Sequence, residues 1–212
     1  MNQSTSKKYA IVIDASRCID CKACMIACKV ENNVPEGSWR NWIRPLWDRS
    51  GKRKSEFQPG QCMQCDTPSC VAACPVDATY KKPDGLVVID AQKCIGCGNC
   101  ITACPYGARY RNSTRHIADK CDFCEHRLKH GEEPACVVTC PTKTRTFGDL
   151  NDPQSPVSRM LKEKKLVRVI APHINTRPNI YYHKGTRLLD WAVAPTLPGN
   201  VHMSREFWET SG

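Results

Sequence analysis

The stretch that decides the fold runs from Cys94 to Pro105 and reads CIGCGNCITACP. Two, two and three residues separate its four cysteines, which are Cys94, Cys97, Cys100 and Cys104. Such short gaps let one loop present several soft thiolate ligands to the same metal site. The proline directly after the fourth cysteine ends local helix and fixes the direction in which the chain leaves. This spacing is therefore typical of a metal-binding loop.

Three more groups of four cysteines have related spacings. The second group along the chain has two extra residues in its middle gap and also ends in Cys-Pro, whereas the first group is followed by Lys29. In the fourth group a longer insertion separates two pairs of cysteines, and Pro141 follows the last. The four groups account for all sixteen cysteines of the chain. They are Cys18, Cys21, Cys24 and Cys28 (loop one); Cys62, Cys65, Cys70 and Cys74 (loop two); Cys94, Cys97, Cys100 and Cys104 (loop three); and Cys121, Cys124, Cys136 and Cys140 (loop four).

Loop three has the spacing C-x2-C-x2-C-x3-C-P with which bacterial ferredoxins hold [4Fe-4S] clusters. Its first three cysteines can wrap three corners of a cubane, while backbone N–H groups point inward at the sulfides. The fourth cysteine cannot easily turn back, and in two-cluster ferredoxins it binds the neighbouring cluster. Sixteen thiolates are enough for four such clusters with none left over. The sequence therefore predicts four [4Fe-4S] clusters as cofactors and all sixteen cysteines as their ligands.

Other uses of the cysteines fit the spacing less well. Disulfides are expected in small secreted chains, whereas 212 residues can build a core without them. Structural zinc sites usually join C-x2-C pairs through long gaps, and a four-coordinate ion has no need of quartets that end in Cys-Pro. Buried free thiols would predict no spacing at all.

The charge of the chain initially suggests a nucleic-acid binder, because the formal net charge is +10. Each cluster with its four thiolates adds about −2, so the loaded protein would carry about +2. Part of the basic excess is then interpreted as compensation for cluster charge, although ordinary surface charge explains any single residue equally well. The basic residues closest in sequence to ligands are Lys22, Lys29, Lys93, Lys120, Arg109 and Arg127.

No active site is expected in this chain. All sixteen cysteines are used as ligands, so no open iron site remains for a substrate, and the six histidines show no paired metal-ligand spacing. The sequence thus predicts neither catalysis nor direct binding of a small-molecule substrate or nucleic acid.

An internal repeat organises the chain, because loops two and three mirror each other and a short apolar strand precedes loops one and three. The predicted strands are Tyr9–Asp14 and Leu86–Ile89. The predicted fold class is α+β, with two nested bacterial 2[4Fe-4S] ferredoxin-like modules, a hairpin insertion and an extended C-terminal arm. The predicted divisions are an outer module (7–34 and 112–150), a Trp/Arg-rich insertion (35–56), an inner module (57–111), a helix-strand extension (151–183) and an arm (184–212).

The insertion and the C-terminal part carry further expectations. The aromatic stretch Trp39–Trp47 is either a hairpin that packs on the modules or a docking surface, since Trp and Arg are enriched in interface cores. A helix is predicted over Val157–Lys165 and a strand over Leu166–Ile170. The arm from Lys184 is either frayed or wrapped on a partner, and its two tryptophans favour wrapping.

No membrane span or export signal is predicted. No segment approaches the roughly eighteen consecutive apolar residues that a transmembrane helix needs. The first eight residues are polar and contain no twin arginine. We therefore expect a soluble chain that stays in the cytoplasm or is exported folded, in complex with a partner that carries the signal.

The chain resembles the four-cluster electron-transfer subunits of molybdenum enzymes such as polysulfide, thiosulfate, tetrathionate and dimethyl sulfoxide reductases. The resemblance covers about residues 7 to 183, and the chain is most similar to the polysulfide reductase type. It rests on the four loops and on the stretches CKVEN from Cys28, CPYGARY from Cys104, KCDFCEHR from Lys120 and RTFGDL from Arg145. Some relatives replace one cysteine of loop three by Trp and hold a [3Fe-4S] cluster, but every ligand is retained here.

The resemblance implies that the chain carries electrons between two partners. One is a catalytic subunit with a molybdenum or tungsten bis-pterin cofactor, and the other is a quinone-reactive subunit in the membrane. The complex would lie at the cytoplasmic membrane, on the periplasmic side if a signal-bearing partner exports it, or in the cytoplasm. The alternative is an electron-transfer subunit of a cytoplasmic formate dehydrogenase or hydrogenase complex.

The resemblance also implies how the ligands are shared between loops. Loops one and four would exchange their last cysteines, and so would loops two and three. The implied sets are Cys18, Cys21, Cys24 and Cys140; Cys28, Cys121, Cys124 and Cys136; Cys62, Cys65, Cys70 and Cys104; and Cys74, Cys94, Cys97 and Cys100.

Overall fold

The computed structural model describes residues 6–47, 53–169 and 174–183. Short strands and helices alternate there with the cysteine loops, which confirms the predicted α+β class. The strands are β1 (Tyr9–Asp14), β2 (Asn41–Trp47), β3 (Arg53–Gln61), β4 (Thr79–Lys81), β5 (Val87–Ile89), β6 (Arg109–Arg111), β7 (Ala118–Lys120), β8 (Arg145–Asp149) and β9 (Ile180–His183). The helices are α1 (Ala23–Glu31), α2 (Ser69–Ala72), α3 (Asn99–Thr102), α4 (Glu125–Lys129), α5 (Ala135–Val138) and α6 (Pro156–Glu163), and a 3-10 turn (Ala15–Arg17) follows β1.

A three-stranded sheet joins the N-terminal strand to the segment that follows loop four. β1 is the central strand, antiparallel to β8 and parallel to β9. Ile11, which is fully buried, lies opposite Phe147 on one side and Ile180 on the other. A central strand is covered on both faces, which is why its sequence is a continuous apolar run. The predicted strand Tyr9–Asp14 is confirmed.

Each Cys-Pro after loops two, three and four leads within a few residues into a strand. β4 follows loop two and pairs with β5, β6 follows loop three and pairs with β7, and β8 follows loop four. The predicted strand Leu86–Ile89 is confirmed as β5. Helices α2 and α3, which lead to the last cysteines of loops two and three, contact each other, and so do α1 and α5 of loops one and four.

The stretch around Trp39 packs on the core. β2 and β3 form an antiparallel pair in which Asn41 lies opposite Gln61. Ile43 is buried in the main apolar cluster, and Trp39 and Trp42 lie partly buried against that cluster. The Lys29 ammonium group stands 4.8 Å from the centroid of the Trp39 ring, a cation–π contact that ties this stretch to α1.

The C-terminal elements differ in part from the prediction. Helix α6 ends two residues before the predicted end at Lys165. The predicted strand Leu166–Ile170 is wrong over residues 166–169, where a single isolated bridge joins Val167 to Tyr182. The strand that forms in this region is β9, which pairs with β1 and whose Ile180, Tyr181 and Tyr182 are at most 5% exposed. Ile170 and the predicted arm 184–212 lie outside the described residues.

Apolar side chains and cysteines share the interior. The main cluster contains Ile11, Met25 and Phe123 together with the buried sulfurs of Cys24, Cys62 and others. Among the helices that the structure describes, none combines the length and the hydropathy needed to cross a lipid bilayer.

Candidate metal centres

The cysteine loops share one backbone feature. In every loop the second residue after the first cysteine has a positive φ angle: Asp20, Gln64, Gly96 and Phe123. A left-handed residue beside right-handed ones turns successive N–H groups to the same side, which forms a concave nest for an anionic group. Loop three supplies glycine at this position, whereas the other loops place a side chain there at a cost of roughly 1–2 kcal/mol. All four loops therefore have a backbone shape that suits an anionic ligand, and loops one, two and four adopt it with strain.

One predicted ligand set surrounds a common cavity. The cavity lies between α1 and loop four, and Asn32, Arg40 and Phe123 contribute to its wall. All four cysteines that line it are buried: Cys28 from loop one and Cys121, Cys124 and Cys136 from loop four. Four soft sulfur ligands around one cavity are the donor set that an iron–sulfur cluster requires, so the residues present fit that cofactor.

The thiols around this cavity need a cation to become thiolates. Burial raises the pKa of Cys28 above its ordinary value, and the neighbouring Cys136 and Cys124 raise it further. Burial raises the pKa of Cys121 well above the ordinary value, with Cys28 and Cys136 adding to the effect. Negative thiolates this close together would repel one another unless iron neutralised them. The geometry is thus unfavourable for free thiolates and suited to metal-bound ones.

A second predicted set is brought together from loops two and three. The pKa of Cys65 is raised to about 12, mainly by burial, and the thiols of Cys62, Cys104 and Cys70 contribute. The pKa of Cys104 is raised to about 11 by burial and by Cys62, with a smaller effect of Cys70. The last cysteine of loop three therefore lies among the cysteines of loop two.

The other two predicted sets are joined less directly. The pKa of Cys18 is raised to about 11, mainly by burial and in part by Cys24. Burial would raise the pKa of Cys74 and of Cys140, but hydrogen bonds to each sulfur from its own loop lower both. Within the described residues, no hydrogen bond joins Cys74 or Cys140 to a cysteine of the loop predicted to share its cluster. These two assignments stay predictions from the sequence.

A site for a single metal ion would need ligands that converge more closely than the cysteines of a cluster. In the parts of the chain that the structure describes, no three His, Cys, Asp or Glu side chains converge closely enough to hold one metal ion. The four protein ligands of a cubane bind four different irons, so they stand farther apart than ligands that share one ion.

The basic residues singled out in the sequence have different surroundings. Arg109 and Lys120 are buried, and the Arg109 Nη2 atom lies 3.1 Å from the Cys70 Sγ atom. Lys120 donates to the backbone oxygen of Cys121 at 3.0 Å and also to that of Val87. Lys29 donates to the backbone oxygen of Pro35 at 2.6 Å. The other three stay closer to the surface: Lys22 pairs with Asp20, Arg127 pairs with Glu31, and Lys93 is exposed.

Two buried arginines were not singled out from the sequence as neighbours of the cysteines. Arg145, the first residue of β8, is 3% exposed, and its Nη2 atom lies 4.0 Å from the Cys24 Sγ atom. Arg40 is 8% exposed and connects three polar groups beside the cavity. A signal for Arg145 was present in the repeat, because it stands five residues after Cys140, as Arg109 stands five residues after Cys104.

Arg40 organises a polar network beside the cavity. It donates to the carboxylate of Asp119 at 2.7 Å, to that of Asp122 at 3.2 Å and to the Asn32 side-chain oxygen at 2.8 Å. The Asn32 amide in turn points at the sulfurs of Cys28 and Cys124, at 3.7 and 3.6 Å. The pKa of Asp119 is lowered although burial opposes this, mainly because Arg40 stabilises the carboxylate. The network holds a hydrogen-bond donor against two of the four sulfurs.

Known proteins with related sequences are iron–sulfur subunits. Residues 17–78 and residues 53–150 each match a family model described as a 4Fe-4S dicluster domain. The B subunit of tetrathionate reductase from Salmonella typhimurium is 40% identical over 183 residues, which cover 84% of this chain and 73% of that protein. The B component of polysulfide reductase from Wolinella succinogenes is 40% identical over 180 residues, which cover 83% and 94%. PhsB, the thiosulfate reductase electron transfer subunit of Salmonella typhi, is 40% identical over 172 residues, which cover 79% and 88%.

These matches confirm the resemblance found in the sequence. Two 4Fe-4S dicluster domains and sixteen cysteines fit four [4Fe-4S] clusters. The relatives are B subunits of reductases, and the name of PhsB describes it as an electron transfer subunit, which agrees with the role predicted for this chain. With this degree of identity over most of both chains, the protein belongs to the family of iron–sulfur electron-transfer subunits of molybdoenzyme reductases.

Proposed function

We propose that the chain carries electrons between a molybdenum or tungsten bis-pterin catalytic subunit and a quinone-reactive membrane subunit, in a complex of the polysulfide or thiosulfate reductase type. The names of its relatives support this assignment. The observation that carries it is the buried cavity lined by cysteines of loops one and four, because such a site can hold a redox cluster and offers a substrate no open position.

The ligands are shared in the four sets given above. Support comes from the thiols that lie together: Cys28 with the cysteines of loop four, and Cys104 with those of loop two. Both cases follow the rule that the last cysteine of a ferredoxin loop binds the neighbouring cluster.

The two modules are nested in the chain. Loops one and four form the outer module. This is supported by the pairing of β1 with β8 and by the contact between α1 and α5. Loops two and three form the inner module, which is supported by the contact between α2 and α3. The β2–β3 pair is an insertion between loop one and loop two, and its connecting residues lie outside the described ranges. The boundaries of the five divisions remain predictions from the sequence, and β3 (Arg53–Gln61) extends past the predicted end of the insertion at residue 56.

The protein's own groups make one-electron chemistry possible at these sites. Each [4Fe-4S] cluster, when bound, accepts one electron and gives up one. The chain surrounds the cavity ligands with buried side chains that exclude water. It directs the Asn32 amide toward the Cys28 and Cys124 sulfurs, and the Phe123 backbone N–H toward the Cys121 sulfur at 3.5 Å. These donors stabilise negative charge there without moving a proton.

Location and docking complete the proposal. The complex is peripheral to the cytoplasmic membrane, on the periplasmic side if a signal-bearing partner exports the folded chain; the alternative is the cytoplasm. Residues 184–212 anchor the subunit to its partners, and Trp191 and Trp208 supply contact surface for this role. Deleting these residues should leave the iron content unchanged and weaken co-purification. Loss of clusters, or assembly at full affinity, would contradict the anchoring role.

The function is tested by isolating the chain anaerobically with its partners. We expect about sixteen iron atoms per chain, only [4Fe-4S] signals on reduction, and a molybdenum- or tungsten-containing large subunit in the same complex. A large subunit of the formate dehydrogenase or hydrogenase type would favour the alternative.

The ligand sharing is tested separately by serine variants. Cys140→Ser should alter the same spectroscopic cluster as Cys18→Ser. If Cys140→Ser instead matches Cys121→Ser, the sharing between loops one and four is wrong while the electron-transfer role stands.

A further inference from the structure

Two buried arginines occupy the same place in the internal repeat. Arg109 stands five residues after the last cysteine of loop three and begins β6, and Arg145 stands five residues after the last cysteine of loop four and begins β8. Both are almost fully buried, with 1% and 3% of their surface exposed. Loops one and two have Asn33 and Thr79 at the equivalent position. Each proposed module therefore contains one such arginine.

Arg145 lies beside a sulfur assigned to one cluster and is also influenced by a sulfur assigned to another. Its Nη2 atom is 4.0 Å from the Cys24 Sγ atom, and its Nη1 atom donates to the side-chain oxygen of Gln61. Burial opposes its charge, but Cys136 and Cys24 are the main groups that stabilise it. Cys24 belongs to the proposed set with Cys140, and Cys136 belongs to the set that lines the cavity.

Arg109 has the corresponding position in the inner module. Its Nη2 atom is 3.1 Å from the Cys70 Sγ atom, and its Nη1 atom donates to the Thr79 hydroxyl at 3.2 Å. The sulfurs that stabilise its charge against burial are those of Cys70, Cys62, Cys100 and Cys104. Cys100 is assigned to one cluster of the module and the other three to the second.

The positive charge of both arginines is stabilised mainly by sulfur. The largest favourable influences on Arg109 and on Arg145 come from cysteines, whereas Arg40 is paired with the carboxylates of Asp119 and Asp122. A buried cation is costly unless an opposite charge is near, and cysteine ligands supply that charge when they are thiolates. In each arginine one guanidinium nitrogen contacts a sulfur and the other donates to a neutral side-chain oxygen, so the charge is held in a fixed place beside the sulfur.

We propose that Arg109 and Arg145 are positioning residues that raise the reduction potentials of both clusters of their own module. The proposal rests on the function and the ligand sets proposed above. Reduction adds one electron to a cluster and makes it one charge more negative, while the guanidinium stays protonated and no proton moves. A fixed positive charge near two clusters favours the reduced, more negative state of each, and so raises both potentials.

The test is a redox titration of the whole complex, followed by electron paramagnetic resonance, for Arg109→Gln and Arg145→Gln. At a fixed potential, each variant should lower the ratio of reduced to oxidised cluster about tenfold for the two clusters of its own module, which is 59 mV for a one-electron couple. The other module should change much less. Arg115→Gln is the matched control, because Arg115 is half exposed and pairs with Asp119 rather than with sulfur.

Conservative variants separate charge from packing. Arg109→Lys and Arg145→Lys keep the positive charge, so they should restore most of the potential if iron content is normal. Unchanged potentials in the glutamine variants at full iron content would overturn the proposal, and so would equal shifts of all four clusters. Loss of clusters in the lysine variants would assign both arginines to packing instead and would also overturn it. The proposed function is tested separately, by the iron content and partners of the unaltered complex and by the serine variants, so its failure can be told apart from failure of this proposal.

Discussion

Two of the proposed cysteine sets differ in what surrounds their sulfur atoms: a deep set (Cys28, Cys121, Cys124 and Cys136) and a surface set (Cys74, Cys94, Cys97 and Cys100). In the deep set every cysteine is buried, and a side-chain amide supported by a buried ion pair points at two of the sulfurs. In the surface set only Cys100 is buried, and Cys97 is exposed.

This difference teaches that one ligand chemistry is stabilised in two ways. Sulfurs of the surface set can be solvated by water, and their loop has the spacing and glycines of a simple ferredoxin loop. Sulfurs of the deep set have lost water, so protein groups must supply the hydrogen bonds and the compensating charge. The polar residues around the deep set should therefore matter more for stability and for potential than those around the surface set.

The largest expected effect is on cluster retention when iron is removed. Anaerobic treatment with an iron chelator should remove the surface cluster, about four of about sixteen irons, well before the deep cluster. Water and chelator reach Cys97 directly, whereas no cysteine of the deep set is exposed. The signal that Cys97→Ser perturbs should be lost before the signal that Cys121→Ser perturbs. Uniform loss of all signals would show that exposure of the ligands does not set the rate.

The next largest effect concerns the ion pair beside the deep set. Arg40→Ala leaves Asp119 buried without its main partner, and breaking such a pair costs roughly 3–5 kcal/mol. The measurement is the midpoint of anaerobic denaturant unfolding. Arg115→Ala is the control, because Arg115 contacts the same carboxylate but is half exposed, and exposed pairs contribute about 0–1 kcal/mol. Equal effects of the two changes would show that burial of the pair does not matter.

A smaller effect is expected at the glycines of loop three. Gly96 and Gly98 both have positive φ angles, so alanine at either costs roughly 1–2 kcal/mol. A Cβ atom at Gly96 would also collide with the backbone oxygen of His116, whereas one at Gly98 would meet nothing within 4 Å. Gly96→Ala should therefore speed iron loss from the surface set more than Gly98→Ala does. The reverse order would mean that the His116 backbone moves aside without cost.

The sequence predicts the loops better than it predicts their surroundings. Spacing alone identified all sixteen cysteines as candidate ligands, because most ligands of one cluster lie within a few residues of one another in the sequence. Asp20 and Phe123 gave no signal for a left-handed conformation, since the strain there is offset by contacts that only the folded site provides. Strand β9 was missed because its place beside β1 depends on long-range burial of Tyr182 rather than on a local pattern. Arg40 belongs to a stretch predicted to be either a packed hairpin or a docking surface, and no local pattern indicated that its side chain would be buried beside the deep set.

The smallest effect is the finest test of how the deep set is stabilised. Asn32→Ala removes the amide that points at the sulfurs of Cys28 and Cys124. An N–H group near sulfur favours the reduced, more negative cluster, so its loss should lower the potential of that cluster. The distances of 3.7 and 3.6 Å are those of weak hydrogen bonds, and the expected loss is about 1 kcal/mol or less.

The matched change in the surface set is Asn99→Ala, because Asn99 is an exposed asparagine next to Cys100. This change should leave all potentials unchanged. Redox titration of both variants at normal iron content decides the matter. A shift for Asn99→Ala as large as that for Asn32→Ala would remove the distinction between protein-supplied and water-supplied hydrogen bonds. A shift for Asn32→Ala alone would show that one side chain supplies the hydrogen bonds that distinguish the deep set. Arg40 holds that side chain in position by donating to its amide oxygen.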